Sequence, residues 1–223
     1  WWRENRPAEF RNEPYLGTYF YRLNTTRGPL GDPRVRRALA LTLDREALCQ
    51  HVLRDGSLPA YHMVPPGLKG YASPRFAAGT DVAEARRLLA EAGFPEGRGF
   101  PEFALNFNTS EKHRAIAEAI QEKWRLHLGI RVTLANTEWK VYLEKERALD
   151  YDISRAGWIG DYVDPNTFLE LWKTGDGNNK TGWGSPKFDA FLAQAAGSDD
   201  PAGRLRLMAE AEAVLVVNPL TEQ

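Results

Sequence analysis

Between Gly157 and Gly160 the chain places Trp158 and Ile159, and the carboxylate of Asp161 follows directly, beside the ring of Tyr162. A carboxylate among large aromatic rings, in a segment whose glycines let another backbone come close, suits an amine-bearing ligand. The acid would meet the ammonium and the rings would exclude water. If the stretch is a regular strand, Arg155, Gly157, Ile159 and Asp161 alternate onto one face. The backbone at Gly157 and Ile159 could then pair with an extended peptide without reading its side chains. Asp161 has an equally ordinary reading as a stabiliser of the turn before Asp164-Pro165, and residue types alone leave the two open.

Other chemistries lack their signatures. His51, His62, His113 and His127 show no H-x-x-x-H or H-E-x-x-H spacing, and Cys49 is the single cysteine, so neither a metal site nor an intrachain disulfide is indicated. Within its helical pattern Cys49 reads as a small buried hydrophobe. No G-x-S-x-G turn and no phosphate-binding loop with Lys and Ser/Thr occurs, so the chain reads as neither a serine hydrolase nor a nucleotide-driven ATPase. Asp161 and Asp164 could be drawn as an acid pair for hydrolysis, but any acidic protein offers such pairs. The reading is therefore a binding protein, with no cofactor. With 29 basic and 30 acidic residues the formal charge is −1, which gives no electrostatic case for nucleic acid or an anionic membrane. Arg34, Arg36 and Arg37 read as a solvated helix face. No apolar run approaches the roughly 18 residues of a spanning helix, and no leader is visible.

The elements that must position these groups can be read in order. Residues 1–16, with Trp1, Trp2, Pro7 and Pro14, read as irregular structure or a cut terminal segment. Thr18–Asn24 is a β-prone aromatic run. Asp32-Pro33 opens a helix with Val35, Ala38, Leu39 and Thr42 on its buried stripe, and Asp44 caps a second helix through Arg54. Residues 55–80 form a long surface loop. A helix from Asp81 to about Ala92 ends at Gly93. Phe103–Asn108, a helix carrying Ile116, Ile120, Trp124 and Leu128, and Ile130–Asn136 make a βαβ unit, so part of the sheet is parallel. A helix from Glu138 to about Ala148 leads into the strand at Tyr151. Pro165 begins a further helix. Residues 173–184 are a polar loop, and Ser185-Pro186 and Asp200-Pro201 open the last two helices, the second running to Val214–Val217 and Asn218-Pro219. The whole, 1–223, reads as one α/β domain, since no interior linker or repeat is visible.

The run Gly157–Leu169, with Asn178-Asn179 and Phe188-Asp189 after it, resembles the C-terminal lobe of extracellular solute-binding proteins that serve oligopeptide and dipeptide ABC importers. Asp32-Pro33-Arg34-Val35-Arg36-Arg37-Ala38 with Asp44-Arg45 matches that family's upstream signature, and Pro59-Ala60, Pro65, Leu128-Gly129-Ile130 and Glu138-Trp139 fill the interval. The resemblance implies one lobe of a periplasmic-binding-protein type II-like fold, a mixed sheet flanked by helices, cut from a longer two-lobed protein whose N-terminal lobe is missing here. It implies a peptide ligand, an ABC permease and ATPase as partners of the full protein, and a periplasmic or membrane-anchored extracytoplasmic location. It makes Asp161 the anchor for a peptide amino terminus, with Trp158 and Tyr162 beside it. Arg155 and His113 become candidates for a peptide carboxylate, and Asn178 and Trp183 further contacts. The same scaffold could hold an oligosaccharide or other small solute, for which the seven tryptophans offer stacking platforms. Such receptors close two lobes over their ligand, so a single lobe is expected to fold but to bind peptide weakly.

Overall fold

Short polar side chains start the helices. Asp32 accepts a hydrogen bond from Arg34 N–H at 2.8 Å, Asp44 from Ala47 at 2.8 Å, Asp81 from Glu84 at 2.9 Å and Ser185 from Phe188 at 3.3 Å. Each supplies a partner for a helix-end N–H that has none within its own helix. Pro33, Pro186 and Pro201 occupy first-turn positions, where a missing N–H costs nothing.

The computed structural model describes residues 1–12 and 15–216. In chain order they form α1 (Trp2–Asn5), β1 (Gly17–Leu23), α2 (Pro33–Leu41), α3 (Arg45–Ala47), α4 (Val82–Glu91), β2 (Phe103–Asn108), α5 (Glu111–Leu128), β3 (Val132–Thr137), α6 (Trp139–Arg147), β4 (Ile153–Ile159), α7 (Asn166–Leu169), α8 (Pro186–Ala196) and α9 (Pro201–Val216). Pro14, Val217 and Asn218-Pro219 lie outside the described residues. The strands make one mixed sheet in the order β1-β4-β2-β3. β2 pairs in parallel with β3 and with β4, and β1 pairs antiparallel to β4, with Gly17 opposite Ile159 and Leu23 opposite Ile153. The C-terminal ends of β2, β3 and β4 therefore open on one edge of the sheet, the usual place for a ligand in an open α/β sheet.

Because strand residues alternate between faces, the sheet is covered twice. On one face Tyr19, Tyr21, Leu105, Phe107 and Ile153 join the stripes of α2, α4 and α5, including Ile116, Ile120, Trp124 and Leu128. On the other, Phe20 and Trp158 meet α7, α8 and α9 through Phe168, Leu169, Phe188 and Met208. The rest of this second face is polar. Arg22 donates two hydrogen bonds of 2.8 Å to the Glu146 carboxylate, which also accepts from Tyr142 O–H at 2.9 Å and Ser154 O–H at 3.0 Å. Glu146 is 2 % exposed, so this network is a buried, fully partnered floor.

The long loop between α3 and α4 is ordered. Tyr61, Met63, Val64 and Phe76 are buried in it. The carboxylate of Glu212 on α9 accepts Met63 N–H, Val64 N–H and Tyr71 O–H, each at 2.7 Å. Burial pushes the Glu212 carboxyl above its ordinary range, and these donors work against that push.

Four sequence expectations are corrected. The helix capped by Asp44 keeps α-geometry only to Ala47 and widens into a π-turn over Leu48–Leu53 before Arg54 turns left-handed at φ 53°. Arg36 is not part of a solvated face: its guanidinium donates to the carbonyls of Leu30 and Gly31, and burial lowers its pKa to about 10. Cys49 is half-buried, not enclosed. Residues 2–5 form a helical turn, with Trp1 and Trp2 exposed.

Candidate functional site

The backbone at the end of β4 leaves one edge free. Gly160 N–H donates to Leu16 C=O and Asn24 N–H to Asp152 C=O, which turns the backbone groups of Ser154, Ala156 and Trp158 toward β1. Those of Arg155, Gly157 and Ile159 point the opposite way, toward β2. β2 pairs with β4 only at Ile153 and Ser154, and Arg155 C=O accepts from Tyr142 O–H. Gly157 and Ile159, both exposed, lie past the end of that pairing. A second extended chain can be received there.

Asp161 stands at the end of this segment. Its own N–H donates to Thr167 Oγ1 at 3.1 Å, and Trp158 Nε1–H donates to the same oxygen at 3.4 Å. Buried Thr167 thus fixes the turn that presents the acid. Gly160 is required for the same turn, since a Cβ there would meet Leu16 Cδ2 at 2.9 Å and Thr167 Cγ2 at 3.1 Å. The Asp161 side chain is exposed, and its carboxylate has no hydrogen-bond or ion-pair partner among the described residues. Asp164, three residues on, is the opposite case. It takes both guanidinium nitrogens of Arg204, at 2.7 and 2.9 Å, and Asn166 N–H at 2.9 Å. Burial acts to raise its pKa, but the Arg204 and Asn166 hydrogen bonds outweigh that and hold it below the ordinary value. The turn is therefore stabilised by Asp164, and Asp161 is left over.

A single cation, Arg155, lies farther back on the same strand, with His113 near it. Arg155 donates to Asn108 Oδ1 at 3.2 Å, its guanidinium carbon is 5.1 Å from the Tyr19 ring centroid, and its Nε is buried without a partner among the described residues. His113, in the first turn of α5, has Nδ1 3.4 Å from Tyr19 O–H. Partial burial, then the charges of Arg155 and Lys112, lower its pKa to about 4, so it is neutral at pH 7. From Arg155 to Asp161 the backbone spans roughly 20 Å if extended. The mouth thus has a positive end, a stretch of unpaired backbone and a negative end.

The remaining candidates separate. Trp158 turns to the opposite face and packs on the second core. Tyr162 is half-exposed, its O–H donating to Glu170 at 3.0 Å while Asn166 donates to it, so its ring lies against its own helix. Asn178 and Trp183 are on a loop tied to the other end of β4. Thr25 N–H donates to Thr181 C=O, and Tyr151 O–H donates to Lys180 C=O. Two residues outside the sequence candidates do belong to the mouth, Thr167 and Trp139. The latter is 50 % exposed just past the end of β3 and stacked on Tyr142 at 5.6 Å. A solvent-facing tryptophan directly after a parallel strand was the available signal. Among the described residues no cluster of His, Cys, Asp and Glu could hold a metal ion, and no helix is long and apolar enough to cross a membrane.

The family model for bacterial extracellular solute-binding proteins, family 5 Middle, matches residues 3–180. The chain is 37 % identical over 211 residues to the oligopeptide-binding protein OppA of Bacillus subtilis, covering 92 % of this chain and 39 % of that relative. Among solved structures it is similar to the murein tripeptide binding protein MppA of Escherichia coli, with a TM-score of 0.91 and 35 % identity over 98 % of this chain and 44 % of that one. It is also similar to Haemophilus influenzae OppA in complex with the peptide RPPGFSPFR, with a TM-score of 0.85 and 33 % identity over 91 % and 41 % of the two chains. The chain therefore spans about two fifths of the length of the relatives it matches.

Proposed function

Because the chain belongs to the bacterial extracellular solute-binding proteins of family 5, we propose that it is one lobe of a receptor that holds a peptide for import, with the peptide's amino terminus against Asp161. Proteins of this family bind substrates for ABC transporters and are not enzymes. The observation that carries the reading is an exposed carboxylate without a partner among the described residues, set at the end of a strand whose Gly157 and Ile159 backbone lies past the pairing with β2. An α-ammonium at that carboxylate would make a charge-assisted hydrogen bond, and the peptide backbone would extend β4 toward Arg155. The guanidinium would then meet a carboxylate at or along the peptide. Recognition through backbone and termini tolerates many side chains.

The mouth is open on one side, so a second lobe would have to close over the ligand, and the 223-residue chain alone should bind peptide weakly. In the full protein the closed receptor would deliver its cargo to a permease and ATPase from the periplasm or the outer face of the membrane. The test is calorimetry on the longest form of the protein that its gene encodes. Asp161→Ala should weaken binding of a free tripeptide by roughly 10- to 100-fold, the scale of one charge-assisted hydrogen bond. The same substitution should leave an amino-acetylated tripeptide unaffected. Equal losses for both peptides, or none for either, would refute the anchor.

A further inference from the structure

Arg155 has a cationic neighbour that β4 does not supply. Lys112, immediately before His113 in the first turn of α5, donates from Nζ to Asp55 Oδ2 at 2.6 Å. Its charge reaches the groups around Arg155. Burial lowers the His113 pKa, and the charges of Arg155 and then Lys112 lower it further. Burial raises the pKa of the Tyr19 hydroxyl, while a hydrogen bond from Tyr21 and then the charges of Arg155 and Lys112 pull it down. The two cations therefore share one neighbourhood, built on the contact between Tyr19 and His113.

The partners of this ion pair are held unequally. The Asp55 carboxylate also accepts Ser57 N–H at 3.0 Å, and Asn12 Nδ2 donates to the Asp55 backbone carbonyl at 3.0 Å. These bonds keep the acid in place whether or not the lysine is there. Lys112 reaches it at the end of a flexible four-carbon stem. The two side chains are 48 % and 39 % exposed, and an ion pair that open to water contributes little and is screened by salt. A carboxylate brought close by a ligand can therefore take Lys112 from Asp55 at small cost, and Asp55 keeps its remaining donor.

Resting on the peptide reading above, we infer that Lys112 is a specificity residue, which gives the receptor a preference for peptides whose last residue carries a carboxylate side chain, and that Asp55 limits this preference by competing for the lysine. The terminal carboxylate lies at Arg155 and the side-chain carboxylate of an aspartate or glutamate at Lys112. His113 stands between them and adds no charge of its own at pH 7, so Arg155 and Lys112 carry the charge of the three. A peptide with a neutral last side chain leaves the pair of Lys112 and Asp55 closed and is held through its backbone and termini alone.

Titration calorimetry on the longest form that the gene encodes tests this with alanine peptides of about three to five residues, each ending in glutamate or in its neutral isostere glutamine. At low salt, and at the length that binds best, the glutamate peptide should bind about three- to tenfold tighter than the glutamine one. Lys112→Met should bring the two to within about twofold of each other, and Asp55→Asn should widen their gap beyond the parent's. Raising the salt to about 0.5 M should narrow the parent's gap. A parent preference below about twofold, a preference that survives Lys112→Met, or a gap that shrinks in Asp55→Asn would overturn the inference. If no peptide of either kind binds the parent, the peptide reading itself fails and the role of Lys112 falls with it.

Discussion

The two ends of β4 hold acids under opposite conditions. Behind its N-terminal half Glu146 is enclosed, with Arg22, Tyr142 and Ser154 all directed at its oxygens. Past its C-terminal end Asp161 is exposed, with its oxygens unclaimed among the described residues. Both are carboxylates beside the same strand, so residue type does not distinguish them. What does is saturation. An acid whose neighbours already satisfy it contributes to the fold, whereas one held in place by its backbone and left unsatisfied is available to something else. Asp164 makes the point within three residues, since Arg204 consumes it.

The comparison breaks most visibly at the buried end. Glu146→Ala strands the Arg22 guanidinium, whose side chain is 10 % exposed, among apolar and polar groups that expect an anion. Removing one partner of a buried pair costs about 3–5 kcal/mol, which urea denaturation would read as a lower midpoint. Asp161→Ala should leave the same midpoint within about 0.5 kcal/mol, while abolishing discrimination between free and acetylated peptides. A stability loss at Asp161 comparable to that at Glu146 would erase the distinction.

Asp164→Asn falls between. It weakens a partly exposed bidentate pair and should cost roughly 1–2 kcal/mol at pH 7. Because the folded pKa of Asp164 is depressed, its contribution is present above the ordinary carboxylate value and is lost as pH falls through the folded one. The gap in melting temperature between parent and variant should therefore close in acid. The smallest effect belongs to His113, which titrates near 4 in the folded chain and near 6.5 unfolded. Here the unfolded state takes up the proton first, so the folded state loses stability as pH drops from about 6.5 to 4. His113→Gln should flatten that slope.

Much of the architecture was legible because its causes are local. The Asp32, Asp44, Asp81 and Ser185 caps, the four-residue stripe of α5 and its stop at Gly129 are each written within one helix. The floor was not legible, since Arg22 and Glu146 are 124 residues apart and meet only after β1 has been placed beside β4. Nor was the widening after Ala47, where no proline or glycine marks the change. In the site, Asp161 could be nominated from its neighbours, but its availability depended on Asp164 and Thr167 taking over the turn. Asn178 and Trp183 are placed by contacts that no local pattern announces. Their loop returns to Thr25 and Tyr151, at the far end of the strand.

The staple between Glu212 and the N–H groups of Met63 and Val64 joins positions 149 and 148 residues apart. On a ribosome adding about 5–20 residues per second, the anchor for that loop is made roughly 7–30 s after the loop itself. The nascent chain must carry the loop unfastened for that whole interval, with its apolar side chains uncovered, before α9 emerges and locks it down.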